Sequence, residues 1–268
     1  MVFRKKSVGL QLDLTLTLKM QSTTFNISAM HLPKRLIPII LLLSMHAHSS
    51  ASTALSTLPI TSLENIVEHE PDNLEARYQL GIRYHHAAQT DCEASLDKAL
   101  EQFKYVYTAD ASRQEARAFY GSATVLKAKY VGLFSKLKYA REGFAILDAT
   151  AEQNPDNFKV RLVRAANAAN CPGFLGRSDI AEQDLNWLLN TIDTHPQGLS
   201  QESIKIALFY AGHFAMKNKD KRCLTLLEQS IKINSVTTLD PKIEAAYLRA
   251  QKKFGNSKTR ERPRHRSF

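Results

Sequence analysis

From about Leu63 to Phe254 apolar residues recur at intervals of three and four, β-branched runs are scarce, and no Asn-Gly or Asp-Gly hairpin signal occurs. The pattern predicts helix throughout this stretch. Its most regular copy is Ala211 and Phe214 followed by Cys223, Leu227 and Ser230, in which a small residue is succeeded twelve positions on by another small residue and four further by a large apolar one. That spacing suits two antiparallel helices that approach closely along their small residues, while the large ones fill the layer to the next pair. Three earlier segments follow the same plan: Glu75–Tyr84 with Ala99, Phe103 and Val106; Glu115–Thr124 with Gly143, Leu147 and Thr150; and Val160, Arg164 and Ala165 with Ala181, Leu185 and Leu188, opening after Pro155-Asp156-Asn157. Insertions of about six and about ten residues separate the helices of the first and second pairs. Pro241 opens a last helix, Lys242–Lys253, expected to act as a solvating cap.

Leu80-Gly81 with Tyr84, and then Ala116, Tyr120 and Gly121, stand in the order found in the first helix of a tetratricopeptide repeat. The chain resembles that family over roughly residues 60–235, without the signature Trp of the first helices. The resemblance implies an all-α solenoid of about four degenerate helix pairs plus a C-terminal capping helix. It also implies a non-catalytic scaffold whose first helices line a concave groove for a protein or peptide partner. By that phase the groove presents Tyr78, Ile82 and His85, then Ser122, then Leu162, Ala166 and Asn170, and finally Leu208 and Met216. The branch of the family that clamps a terminal carboxylate uses Lys and Asn at inner positions, where this chain has Tyr78, Ile82, Ala118 and Leu162. A groove of this apolar character would accept an amphipathic helix, or a hydrophobic small molecule as in periplasmic members that accompany transport systems, or be filled by the protein's own insertions.

The segment Cys171-Pro-Gly-Phe-Leu-Gly-Arg177 interrupts the third pair. Phe174 and Leu175 could dock a partner there and Arg177 could hold an anion; the expected alternative is a plug in which both apolar side chains pack back onto the solenoid. The aromatics Tyr130, Phe134 and Tyr139 around the second insertion are expected in the core. No catalytic residue, cofactor or metal site is assigned. The adjacent His85 and His86 diverge by about 100° on a helix, and no Gly-rich phosphate loop or nucleophile elbow is present. Cys92, Cys171 and Cys223 lack metal-ligand spacing and read as thiols, with one bridge between two of the three left open for an oxidising compartment.

The composition, 44% hydrophobic over 268 residues, supports a sizeable core. The formal charge of +10 is unevenly placed: residues 1–51 hold six Lys/Arg against one Asp and residues 252–268 seven against one Glu, leaving the body at −1. A phosphate-reading groove for nucleic acid is therefore not expected. From the internal Met30, Lys34 and Arg35 precede the apolar run Leu36–Met45, and Ser49 and Ala51 offer cleavage positions, the pattern of a secretory leader. Ten apolar residues are too few for a span, which takes about 20. The expected organisation is a leader region over 1–51, a helical domain over 52–254 and a basic disordered tail over 255–268. The expected site is exported, in a periplasm, with cytoplasmic or organelle locations as alternatives; whether residues 1–29 are translated stays open.

Overall fold

A computed structural model of the chain describes residues 54–90 and 92–255. The leader-like segment 30–51, the preface before it and the tail from Asn256 onward lie outside the described residues. The helices in chain order are α1 (Ile60–His69), α2 (Leu74–Gln89), α3 (Glu93–Ala109), α4 (Gln114–Lys127), α5 (Leu133–Gln153), α6 (Phe158–Asn170), α7 (Ser178–Thr194), α8 (Gln201–Lys217), α9 (Cys223–Lys232) and α10 (Asp240–Phe254), with a 3₁₀ turn at Gly173–Leu175. No strand occurs among the described residues. The four expected pairs are α2/α3, α4/α5, α6/α7 and α8/α9. Helix α10 covers α9 at one end, and α1 packs on α2 at the other.

Local chemistry sets where the helices start. The Asn73 side chain accepts from the Ala76 N–H at 3.0 Å and Asn157 from Val160 N–H at 3.1 Å, each satisfying one of the donors that a helix start leaves unpaired. Both belong to a Pro-Asp-Asn triplet, at 71–73 and 155–157. The repetition extends outward: Arg77 Nε donates to the Pro71 carbonyl and Arg161 Nε to that of Pro155, each at 2.5 Å. The same two guanidiniums then cover an aromatic ring of the following helix, Arg77 over Tyr105 at 3.9 Å and Arg161 over Trp187 at 4.5 Å. One structural unit has thus been built twice.

Within a pair the helices touch along small residues. A Cβ built on Gly143 would lie 2.6 Å from the Gly121 carbonyl and 2.6 Å from the Val125 amide, so the α4 and α5 backbones meet there. Between pairs, large side chains fill the layers. Leu63, Leu80, Phe103 and Val106 fill the first; Phe144, Leu147, Val160 and Val163 join α5 to α6; Leu162, Leu185 and Leu188 face α8; and Phe209, Leu227 and Ile243 seat the cap. Phe103, Leu147, Leu188 and Leu227 are fully buried. Each contributes about 2–3 kcal/mol in area removed from water.

Alternating helices with short connections place the turns inside the later pairs (128–132, 171–177 and 218–222) on one edge of the solenoid, together with the facing ends of α2 and α3. The turns between pairs (70–73, 110–113, 154–157 and 195–200) lie on the other. The first edge carries Lys127, Lys129, Lys136 and Lys138, then Lys217, Lys219, Lys221 and Arg222, against Glu93, Asp179 and the Asp220 that pairs with Arg222. Glu68, Glu70, Asp72, Asp110, Asp156 and Asp193 lie on the second, against Arg113. A body whose charges nearly cancel in sum is therefore basic along one edge and acidic along the other.

Candidate functional site

The inner side of the curl is built by α2, α4, α6 and α8. His85 Nε2 is hydrogen-bonded to Ser122 Oγ at 3.1 Å, and Asn167 Nδ2 donates to the same hydroxyl at 2.9 Å and to the Val163 carbonyl at 2.8 Å. One residue from each of three successive first helices therefore forms a polar chain across the layers. Beside it the rings of Tyr78, His85, Phe103 and Phe119 cluster edge to face, with Phe103 and Phe119 stacked at 5.4 Å. Lys159 of α6 reaches the Tyr78 ring at 5.3 Å, and Thr238, just before α10, meets His86 of α2 at 3.3 Å. The curl thus brings the last connection back to the first pair.

Burial governs the acid–base state of these groups. It pulls His85 down to about 3, helped by the neighbouring His86, and pulls His86 to about 4, helped by the charges of Arg83 and Lys242. Both imidazoles are neutral at pH 7. Burial likewise pushes the Tyr78 phenol up and carries that of Tyr210 to about 12.

Of the residues assigned to the groove by phase, Tyr78, His85, Ser122, Leu162 and Leu208 are 4–6% exposed. They sit in the layers between first helices, covered by side chains such as Phe119. Ile82, Ala166 and Met216 are half-buried and Asn170 is exposed. Gly212 points away from the hollow, its missing Cβ taken up by Leu227 of α9 at 2.7 Å. The hollow is thus filled along much of its length by the chain's own side chains.

The 171–177 loop divides its expected roles. Leu175 packs against the layer containing Phe144 and Leu147, but Phe174 is 82% exposed, so the expected plug holds for one side chain of the two. Arg177 is bidentate to Asp148 of α5 at 2.5 and 2.8 Å and lies over the Phe144 ring, which leaves its charge already paired. Below it Arg164 is bidentate to Asp184 at 2.7 and 2.8 Å, and Arg161 adds a third contact at 3.1 Å. Asp184 is fully buried, its charge held by these two guanidiniums. The second insertion departs further from expectation. Tyr130 and Tyr139 are half-buried, but Phe134 is 96% exposed rather than in the core. The ten extra residues lengthen α5 past the end of α4 and leave no neighbour over its first turn.

An open groove lies between the last turns of α8 and α10, about 560 Å³ in volume and lined by His213, Met216, Lys217, Arg249, Lys252 and Lys253. Its surface is mostly apolar, from Met216 and the aliphatic stems of the basic side chains, and no lining residue is acidic. Met216 alone among these was assigned by phase. The others carry a weak signal in the sequence, where cations recur along the C-terminal turns of both helices. Among the described residues no group of His, Cys, Asp and Glu is placed to hold a metal, Cys92, Cys171 and Cys223 are free thiols, and no helix is long and apolar enough to cross a membrane.

Neither a protein-family model nor a curated protein matches the chain. A solved structure does: a thermophilic TPR protein of Thermus thermophilus, TTC0263, superimposes with a TM-score of 0.54 at 18% identity, over 80% of this chain and 96% of that one. The fold is that of a tetratricopeptide solenoid. The four helix pairs, their order and their small-residue contacts agree with the likeness in Leu80-Gly81, Tyr84, Ala116 and Gly121. The tetratricopeptide fold here departs from its plainest form in the long α5 and in the filled hollow.

Proposed function

We propose that the protein is a non-catalytic scaffold that binds a partner protein through an acidic, apolar-bearing segment seated in the groove between α8 and α10. The supporting observation is the groove itself, an apolar floor at Met216 rimmed by Lys217, Arg249, Lys252 and Lys253. Such a surface takes apolar side chains into the floor and pairs carboxylates at the rim, where rim charges set specificity and association rate. Of the residues assigned to the groove by phase, Ile82, Ala166, Asn170 and Met216 remain available for contact. Support for a binding role over a chemical one comes from the inner side, where the His85–Ser122 pair is enclosed by Phe119 and Asn167.

The test is a peptide array probed with the purified full-length protein. Acidic peptides bearing aromatic or aliphatic residues are retained, and Arg249→Glu with Lys252→Glu lowers their retention by about tenfold or more while the melting temperature holds. Retention indifferent to peptide charge, or unchanged in the variant, contradicts the assignment.

A further inference from the structure

The α4–α5 hairpin does not end where its packing ends. Gly121 and Gly143 lie opposite each other, with the missing Cβ of Gly143 2.6 Å from the Gly121 carbonyl. Counting six residues onward from Gly121 gives Lys127, the last residue of α4, and counting six back from Gly143 gives Leu137. The contact of Lys127 with the Tyr139 ring at 5.5 Å agrees with that register. Residues 133–136 therefore extend beyond the end of α4, with Leu137 level with its last residue, and the short connection 128–132 joins the two helices. Three of the eight large apolar side chains exposed among the described residues stand together here, whereas Phe174, Val236 and Leu248 are exposed elsewhere. Phe134 is 96% exposed, Leu133 77% and Leu137 38%.

The charge around this tip has one sign. From Ala116 to Arg141 the chain has no Asp or Glu, and Lys127, Lys129, Lys136, Lys138 and Arg141 fall within fifteen residues. Asp97 of α3 pairs with Lys127 at 3.2 Å; Lys129, whose ammonium donates to the Gln89 carbonyl at 3.1 Å, and Lys136 and Lys138 are exposed around the apolar tip. The first turn of α5 contains no acidic residue and Gly132 supplies no side-chain cap; the Ser135 and Lys136 amides bond to the Gly132 carbonyl at 3.0 Å, which leaves those of Leu133 and Phe134 toward the surroundings. The hairpin also lies on the basic edge of the solenoid, with the acidic turns on the edge opposite.

We infer that the α4–α5 hairpin is a membrane-docking finger that places Leu133 and Phe134 into the interfacial region of an anionic phospholipid surface, with Lys129, Lys136 and Lys138 at the headgroups. An apolar tip ringed by cations is complementary to a layer whose outer face is anionic and whose interior is apolar, and each cation near such a surface adds to the attraction. The polarity of the body enforces one orientation, since the edge bearing Glu70, Asp72 and Asp156 is repelled by the same surface. Binding is peripheral. This inference uses residues outside the α8–α10 groove and stands or falls apart from it.

The experiment is co-sedimentation of the full-length protein with phosphatidylcholine vesicles, with and without phosphatidylglycerol. The basic ends of the chain also attract anionic vesicles, so the deciding variant alters no charge: Leu133→Ser with Phe134→Ser. Both positions are exposed and the melting temperature is expected to hold. The expected result is binding to the anionic vesicles only, weakened about tenfold or more by the double substitution and by Lys129→Glu, Lys136→Glu and Lys138→Glu together. In Phe134→Trp, fluorescence beyond that of Trp187 shifts to the blue on adding anionic vesicles and is quenched by brominated lipid. Undiminished binding of the serine variant, or emission from Phe134→Trp that ignores the vesicles, overturns the inference. So does a dimer in lipid-free sedimentation velocity that the serine variant converts to monomer, because the tip would then belong to a second copy of the chain.

Discussion

Acidification is expected to destabilise the fold through His85 well before the carboxylates are protonated. The imidazole lies against the Phe103 and Phe119 rings, is 4% exposed, and is held at about 3 by burial and by His86. In the unfolded chain it returns to its ordinary 6.5. The folded pKa is the lower, so below pH 6.5 the unfolded chain takes up a proton that the folded chain refuses. Stability is complete above that value and falls as pH drops toward 3. At pH 5.0 the difference is about one and a half pKa units, or about 2 kcal/mol relative to pH 7.5. His86, held at about 4, adds a similar amount over the same interval, giving about 4 kcal/mol for the two. For a domain of this size that is a fall of roughly 8–16 °C in melting temperature. Chemical denaturation at pH 7.5 and 5.0 and constant ionic strength measures it. His85→Gln is expected to be less stable at pH 7.5, through loss of ring packing, and to lose about half as much on going to pH 5.0. Equal losses in the two proteins would refute the reasoning, as would a His85 ring whose NMR shifts titrate near 6.5.

Four further outcomes follow from the packing. Gly143→Ala should lower stability by about 1–2 kcal/mol although alanine favours helix by about 1, because the added methyl meets the α4 backbone; a more stable variant in urea denaturation would show that the pair is not in contact there. Asp184→Ala leaves Arg164, whose side chain is 8% exposed, with only the longer contact to Asp148 at 3.7 Å and should cost about 3 kcal/mol, whereas exchanging both partners for Leu and Met should cost much less. Asn157→Ala removes the cap of α6 and a bond to Glu115 at 2.7 Å, with an expected loss of about 1–2 kcal/mol by the same assay. Lys219 has φ of 62° at the turn after α8, so Lys219→Gly should raise the melting temperature, corresponding to about 1 kcal/mol.

How much of this was legible in the sequence varies with the range of the interaction. The helix pairs were, because Ala211, Cys223 and Leu227 report a local period that any two-helix layer must satisfy. The start of α6 was too, since Pro155-Asp156-Asn157 punctuates the chain there, although the cap that Asn157 supplies was not read. The inner surface was legible only by phase: position along a helix tells which side His85 faces, but not that Ser122 and Asn167, 37 and 82 residues on, close over it. Asp184 was not legible as a buried acid because its partners, Arg161 and Arg164, come from the preceding helix. Phe134 looked like core because hydrophobicity is visible in sequence and the absence of a neighbour is not. Net charge misled in the same way, since a sum near zero conceals the separation of cations and anions onto opposite edges.

The central claim, that four stacked pairs curl far enough for the chain to fill its own hollow, is tested most directly by cross-linking His86→Cys to Thr238→Cys in a Cys92→Ser background. The native side chains meet at 3.3 Å although 152 residues separate them. With a short bifunctional thiol reagent the folded protein should form the intramolecular link rapidly, and in urea the link should fail. A folded protein that leaves the two thiols unlinked would contradict the closed curl and the inner surface built upon it.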